Sequence, residues 1–192
     1  VQVGKKILQG KQTQKVLAFY KPVGVTCTER DPHAEKKIMD MIRYPERLTY
    51  AGRLDKDSEG LILLTNDGDL INAMMRGANR HEKEYIVKTD REITPDFLEK
   101  MAKGIYLKDL DITTRECEIE QIGKFTFRIV LTQGVNRQIR RMCEACGYRV
   151  KALKRIRIMN ILLGDLKPGK WREVTGEELE QLQRDTGMLN RN

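Results

Sequence analysis

Apolar residues in this chain fall into short clusters separated by turn-forming residues, and the spacing inside each cluster predicts its element. Residues 16–20 form an apolar run ended by Lys21-Pro22, where proline stops a strand ladder and Gly24 permits a turn. Ile38, Met39 and Ile42 have helical spacing, which predicts a helix over residues 34–42 begun through Asp31-Pro32. Residues 61–65 predict a short buried strand. Asn66-Asp67-Gly68 then supplies a turn and an N-cap for a helix with Leu70, Ile71, Met74 and Met75 inward. A strand follows over residues 85–88, and Thr94 caps a helix carrying Phe97, Leu98 and Met101, which Gly104 ends.

From residue 105 to 132 the pattern is mostly strand, at 112–114, 116–121 and 125–131. There Phe125, Phe127, Ile129 and Leu131 alternate with polar or smaller partners, as in a sheet with one buried face. A helix is predicted within residues 134–146, starting near Asn136 and ended by Gly147, and two strands lie within 150–163. Thr175-Gly176-Glu177-Glu178 reads as a capping box opening a last helix through Gln183. Strands outnumber helices and follow in hairpin-like order. The expected class is therefore α+β, with a mainly antiparallel mixed sheet flanked by helices.

At 192 residues the chain can bury a real core, in one domain or two packed lobes. No run approaches the roughly 20 apolar residues of a membrane span, so no membrane partner is expected. Residues 1–14 are polar and aperiodic and read as a linker, residues 15–185 as the folded domain, and residues 186–192 as a polar tail. The start, Val1-Gln2-Val3-Gly4, carries neither an initiator Met nor a signal pattern, so a fragment is expected. Four cysteines without an export signal favour a reducing cytoplasm. Cys143 and Cys146 form a C-x-x-C without a second pair, and both fall on a helix's apolar stripe, so they read as small buried hydrophobes.

Charge changes the picture more. The net charge is +8, and residues 136–157 hold Arg137, Arg140, Arg141, Arg149, Lys151, Lys154, Arg155 and Arg157 against one acid, Glu144. A basic region this dense suits a polyanion, the bland alternative being a solvated face. Ahead of the second strand, Gly52-Arg53-Leu54-Asp55-Lys56 sets a carboxylate between two cations in a glycine-bracketed turn, available as a nucleophile. Spacing alone equally allows Asp55 to be a turn cap paired with Arg53. A metal site from Asp55, Asp57, Asp67 and Asp69 is disfavoured by the intervening strand and by Arg53 and Lys56. With His33 and His81 the only histidines, no histidine-based catalysis is expected. On the helix beginning near Asn136, Ile139, Met142, Cys143 and Cys146 share an apolar arc, Arg137 and Arg141 lie opposite, and Arg140 lies at the boundary.

Together, Lys21-Pro22-Val23-Gly24, Gly52-Arg53-Leu54-Asp55, Gly60-Leu61-Ile62-Leu63-Leu64, Thr65-Asn66-Asp67-Gly68, Lys83-Glu84-Tyr85 and Gln138-Ile139-Arg140 resemble the signature of bacterial RNA pseudouridine synthases. The resemblance spans residues 15–182 in motif order and looks most like the branch that modifies large-subunit ribosomal RNA and also accepts a tyrosine tRNA. It implies a two-lobed catalytic domain with a central cleft. It also implies isomerisation of uridine without cofactor or metal and RNA as partner; nothing in the sequence demands a dimer, so a monomer is expected. Asp55 is implied as the residue that lets uracil leave its ribose and reattach through C5. Tyr85 would pack on the base, and Arg140 would salt-bridge Asp55, with Arg137 a possible substitute. Arg53 would hold the space left by a flipped nucleotide. Lys21, Arg137, Arg141, Lys151, Lys154, Arg155 and Arg157 fit as RNA-backbone contacts, which orient RNA without reading sequence. That branch carries an S4-type RNA-binding domain upstream, of which residues 1–10 would be the tail. Two rivals stay open: a catalytically silent RNA-binding or ribosome-assembly protein on the same scaffold, and a metal-dependent phosphotransferase using the acidic turns.

Overall fold

Three clusters of apolar side chains on one sheet, two in one lobe and one in the other, decide where the cleft lies. The computed structural model describes residues 13–27, 38, 40–76 and 80–188. Its strands are β1 (Val16–Lys21), β2 (Thr49–Tyr50), β3 (Glu59–Thr65), β4 (Lys83–Thr89), β5 (Tyr106–Leu107), β6 (Ile112–Thr113), β7 (Glu118–Gly123), β8 (Thr126–Leu131), β9 (Val150–Ile158), β10 (Ile161–Leu162) and β11 (Trp171–Glu173). Helices α1 (Gly68–Arg76), α2 (Pro95–Lys103), α3 (Gln138–Ala145) and α4 (Gly176–Asp185) flank them. The main sheet runs β11-β1-β3-β9-β4-β8-β7, with β2 beside β3 and β10 beside β9, while β5 and β6 form a separate ribbon. Its pairings are antiparallel except β3 with β9, where only Glu59 and Gly60 pair with Lys154 and Arg155. That short parallel seam joins two lobes.

In the first lobe, β1 and β3 are buried on both faces, which is why they read as unbroken apolar runs. Val16, Ala18, Leu61 and Leu63 pack with Leu70, Met74 and Leu182, while Leu17, Phe19, Ile62 and Leu64 pack with Leu48 and Leu54. The second lobe has one buried face. Val87, Phe127, Ile129 and Leu153 meet Phe97 and Met101 of α2 and Ile139 and Met142 of α3. The opposite face carries a solvated ion-pair network, in which Arg128 meets Glu84, Glu118 and Glu120 and Arg157 meets Glu82 and Glu84.

The caps mostly follow the local sequence. Thr94 accepts a hydrogen bond from the Phe97 amide at 3.1 Å, and Gly104 ends α2 with φ 104°. Asp67 accepts one from the Asp69 amide at 2.9 Å to open α1. Three expectations are corrected. Met75 is 68% exposed because the inward stripe of α1 is Leu70, Ala73 and Met74, an i, i+3, i+4 set. The Thr175 side chain makes no cap hydrogen bond, and Glu178 is drawn instead to Arg172 at 2.6 Å. Helix α3 begins at Gln138 rather than near Asn136, because Arg137 is left-handed at φ 53°. Most of the helix expected over residues 34–42 lies outside the described residues, though 40–42 are helical. So do residues 1–12 and 189–192, including most of the expected linker and tail.

Candidate active site

The turn carrying Asp55 is held from beneath by a lysine. The Ser58 amide donates to the Asp55 carbonyl at 3.1 Å, closing a tight turn over Asp55, Lys56, Asp57 and Ser58. Lys21 is fully buried, and its Nζ donates to the carbonyls of Pro22 and Val25 at 2.7 Å each and of Lys56 at 3.4 Å. The Gly24 amide donates to the same Lys56 carbonyl at 2.7 Å. Lys21 therefore ties the end of β1 to the turn. Its burial lowers its pKa, an effect that Cys27 and the acids Asp57, Asp55 and Glu59 oppose. The expectation that Lys21 meets RNA is corrected, because none of its ammonium reaches solvent.

Above this turn stand two arginines from the start of α3. Arg137 Nη1 lies 3.3 Å from Asp55 Oδ2, and its Nη2 lies 3.3 Å from Asp57 Oδ2. Arg140 reaches Asp57 Oδ2 at 3.5 Å and donates to the Asp57 carbonyl and Ser58 Oγ at 3.1 Å each. The expected Arg140–Asp55 pair is thus corrected to Arg137–Asp55. The left-handed backbone at Arg137 throws its side chain ahead of the helix and over the turn. Arg140, one turn inward and mostly buried, reaches only the second carboxylate. The Arg137 hydrogen bond, foremost, holds the Asp57 carboxyl below its ordinary range, with Arg140 adding to it against some desolvation. The Asp55 carboxylate is about one-third exposed, so it is both fixed and accessible.

It faces a cavity of about 330 Å³ between the lobes, lined also by Arg53, Met74, Lys83, Tyr85, Leu131, Leu153, Arg155 and Ile158. A β-bulge shapes this floor. The β4–β9 register passes from Glu84 opposite Arg157 to Tyr85 opposite Arg155, which leaves Ile156 unpaired on β9. Two residues apart on a regular strand, Arg155 and Arg157 would share a face. The bulge sends them to opposite faces. Arg155 is 4% exposed and donates through Nε to the Leu61 carbonyl at 2.8 Å and through Nη1 to the Arg53 carbonyl at 3.2 Å. Arg157 turns to the outer face and bonds Glu84, Glu82 and the Met159 carbonyl. Both expected phosphate contacts are corrected accordingly, since one arginine is buried in the floor and the other is tied up in ion pairs.

The remaining candidates differ in reach. Arg53 is exposed at the rim and Lys151 is exposed on β9. Lys154 is half-buried, and Arg141 donates to the Asn136 carbonyl at 2.9 Å. Sequence reading missed Lys83 as a cavity residue, although its place two residues before Tyr85 on a strand puts both on one face. Cys143 is a buried free thiol pushed up to about 12 by desolvation, an inert packing residue. Among the described residues no three His, Cys, Asp or Glu side chains converge to hold a metal ion, and no helix is long and apolar enough to cross a membrane.

Comparisons with known proteins bear on the whole arrangement. The family model described as RNA pseudouridylate synthase matches residues 15–145. The dual-specificity RNA pseudouridine synthase RluF of Escherichia coli K12 is 44% identical over 184 residues, covering 95% of this chain and 62% of that protein. The ribosomal large subunit pseudouridine synthase B of Vibrio cholerae is 34% identical over 177 residues, covering 88% of this chain and 54% of that protein. The chain thus spans under two thirds of these relatives' length. A crystal structure of a pseudouridylate synthase superposes with a TM-score of 0.81 at 28% identity, over 90% of this chain and 75% of that one. With the family model covering most of the sequence and a solved relative following the fold almost throughout, the chain belongs to the RNA pseudouridylate synthase family.

Proposed function

We propose that this chain isomerises uridine in structured RNA to pseudouridine without cofactor or metal, with Asp55, Tyr85 and the Arg137–Asp55 pair as its working parts. The observation that carries the reading is Asp55, fixed by Arg137 at 3.3 Å yet open to a cavity that Tyr85 also lines. A flipped uridine enters that cavity, at an unstacking cost of a few kcal/mol. The Tyr85 ring replaces part of the lost stacking, worth about 1–3 kcal/mol per base. Uracil leaves C1′ with the electron pair of the N1–C1′ bond, and the Asp55 carboxylate meets the electron-poor carbon. The base then turns and rejoins through C5, losing the C5 proton and gaining one at N1. Arg137 positions the carboxylate. In this reading Arg137 takes the role first expected of Arg140, which lies against Asp57 and Ser58.

Exposed Arg53, Lys56 and Lys151 supply phosphate contacts that steepen the salt dependence of binding. Similarity to a dual-specificity RNA pseudouridine synthase and to a large-subunit synthase supports large-subunit ribosomal RNA as a substrate with a second RNA beside it, for which we propose a tyrosine tRNA; a cytoplasmic monomer belongs to the same proposal. The test is Asp55→Asn, assayed on ribosomal RNA in excess chelator. The expected result is loss of isomerisation below detection with RNA affinity within about threefold, because the substitution removes the nucleophile and leaves the phosphate contacts intact. Normal turnover by the variant would remove Asp55 from the chemistry, and a wild-type chain that binds RNA and never converts it would overturn the reading in favour of a silent RNA-binding protein.

A further inference from the structure

Lys83 is a cation without a hydrogen-bond or ion-pair partner among the described residues. It opens β4 on the same face as Tyr85, about 7 Å from it at the rise of a strand. Its cross-strand neighbours are apolar, Leu131 on β8 and Ile158 on β9. Among the described residues no carboxylate or carbonyl bonds its ammonium, whereas Lys21, Arg137, Arg140 and Arg157 each have partners. The charge that acts on it is a second cation, Arg155, whose Nη2 is buried without a hydrogen-bond partner. A half-buried, unpaired cation beside a second one weakens a fold unless a ligand brings negative charge.

We propose that Lys83 is a catalytic residue of the isomerisation, its ammonium lying against the edge of the flipped uracil and stabilising the negative charge the base carries once detached from ribose. The inference rests on the activity proposed above. When the N1–C1′ bond breaks, its electron pair stays on the base and spreads from N1 onto O2 and O4. A hydrogen bond from Nζ to a ring oxygen is then stronger than in the intact nucleoside, the condition for lowering the barrier. As the C5–C1′ bond forms and the C5 proton departs, the base becomes neutral and the interaction relaxes. Nothing is oxidised or reduced. A phosphate fits this place poorly, because Lys83 stands between apolar Leu131 and Ile158 inside the cavity, whereas the exposed Arg53 stands at its rim.

Burial and then the Arg155 charge bring the Lys83 pKa from 10.5 to about 8. The other charged groups lining the cavity are Arg53, Asp55, Arg137, Arg140 and Arg155, and β8 and α1 contribute none. His81, just ahead of β4, has its own pKa lowered by burial and by Lys83.

The experiment compares Lys83→Met and Lys83→Arg in single-turnover assays on RNA bearing uridine or 5-fluorouridine at the target, with rearranged nucleosides resolved by chromatography. Fluorine already stabilises the base anion. Lys83→Met is expected to slow uridine conversion about 100-fold with binding within about threefold, and to slow the fluorinated base by less than about tenfold. Lys83→Arg should recover most of the rate. It should also keep that rate above pH 8, where the wild-type rate falls as the ammonium deprotonates. An equal deficit on both bases, or a loss confined to binding, would overturn the proposal. A wild-type chain inactive on both substrates would instead count against the activity itself. Thermal melts of each variant identify any folding defect.

Discussion

A lysine with no exposed surface either titrates or holds backbone together, and Lys21 does the second. Its three carbonyl acceptors come from residues 22, 25 and 56, so one ammonium fixes two segments distant in sequence. Lys21→Met keeps most of the volume and strands those acceptors. The expected result is a loss of about 2–4 kcal/mol in urea unfolding, since each buried carbonyl left unpaired is penalised. A drop in turnover should accompany it because the Asp55 turn loosens, and an unfolding midpoint equal to wild type would remove Lys21 from this role. The residues Lys21-Pro22-Val23-Gly24 were legible as a motif, yet the job of the lysine was not. A cation beside a proline turn looks the same in sequence whether it meets a phosphate or a carbonyl. Only the distant Lys56 carbonyl distinguishes them. The same limit explains Arg137 and Arg140, where helical phase ranked the boundary arginine first and a left-handed residue before the helix reversed the order.

At the level of elements, most strands and helices were readable because period and caps agree with tertiary burial. Strand β8 buries the expected Phe127, Ile129 and Leu131 with Val130 beside them, α2 is capped by Thr94 and ended by Gly104, and β1 and β3 are apolar because both faces are covered. The bulge at Ile156 was not readable, since nothing in Leu153-Lys154-Arg155-Ile156-Arg157 marks an extra residue. It nonetheless decides that Arg155 lines the cavity and Arg157 does not. Beside it, β3 and β9 approach so closely that only glycine fits at position 60. A Cβ there would lie 2.3 Å from the Arg155 carbonyl oxygen and 2.7 Å from its amide nitrogen, at φ +116°. Gly60→Ala must therefore push β9 away from β3. We expect about 3–5 kcal/mol of destabilisation, from backbone clash and strain together. Activity should fall with it, because Arg155 and the Asp55 turn flank the same seam. Calorimetric melting with an unchanged midpoint would mean that the seam is looser than it stands here.

For the whole molecule, the concentration of positive charge in residues 136–157 suggests a polyanion and is a poor map of where one would lie. Arg140 braces a turn, Arg155 floors the cavity and Arg157 joins an outer-face ion network. The same charge sets stability against activity most clearly at Lys83. Its pKa falls from 10.5 to about 8 on folding, so below pH 8 both states hold the proton and the folded chain bears the full penalty of the buried cation. Between about pH 8 and 10.5 the unfolded chain holds the proton more tightly, so stability rises with pH through that window. Replacing the cation with an apolar side chain removes the penalty at neutral pH and has little left to remove at alkaline pH. Lys83→Met should therefore be more stable than wild type by about 1–3 kcal/mol at pH 7, with the gap closing toward pH 10. Urea unfolding across that range measures it directly. A variant less stable at pH 7, or a gap that does not change with pH, would show that an unrecognised partner already neutralises Lys83. A variant that is sturdier and slower would locate in one side chain the destabilising charge that the chemistry of the cavity requires.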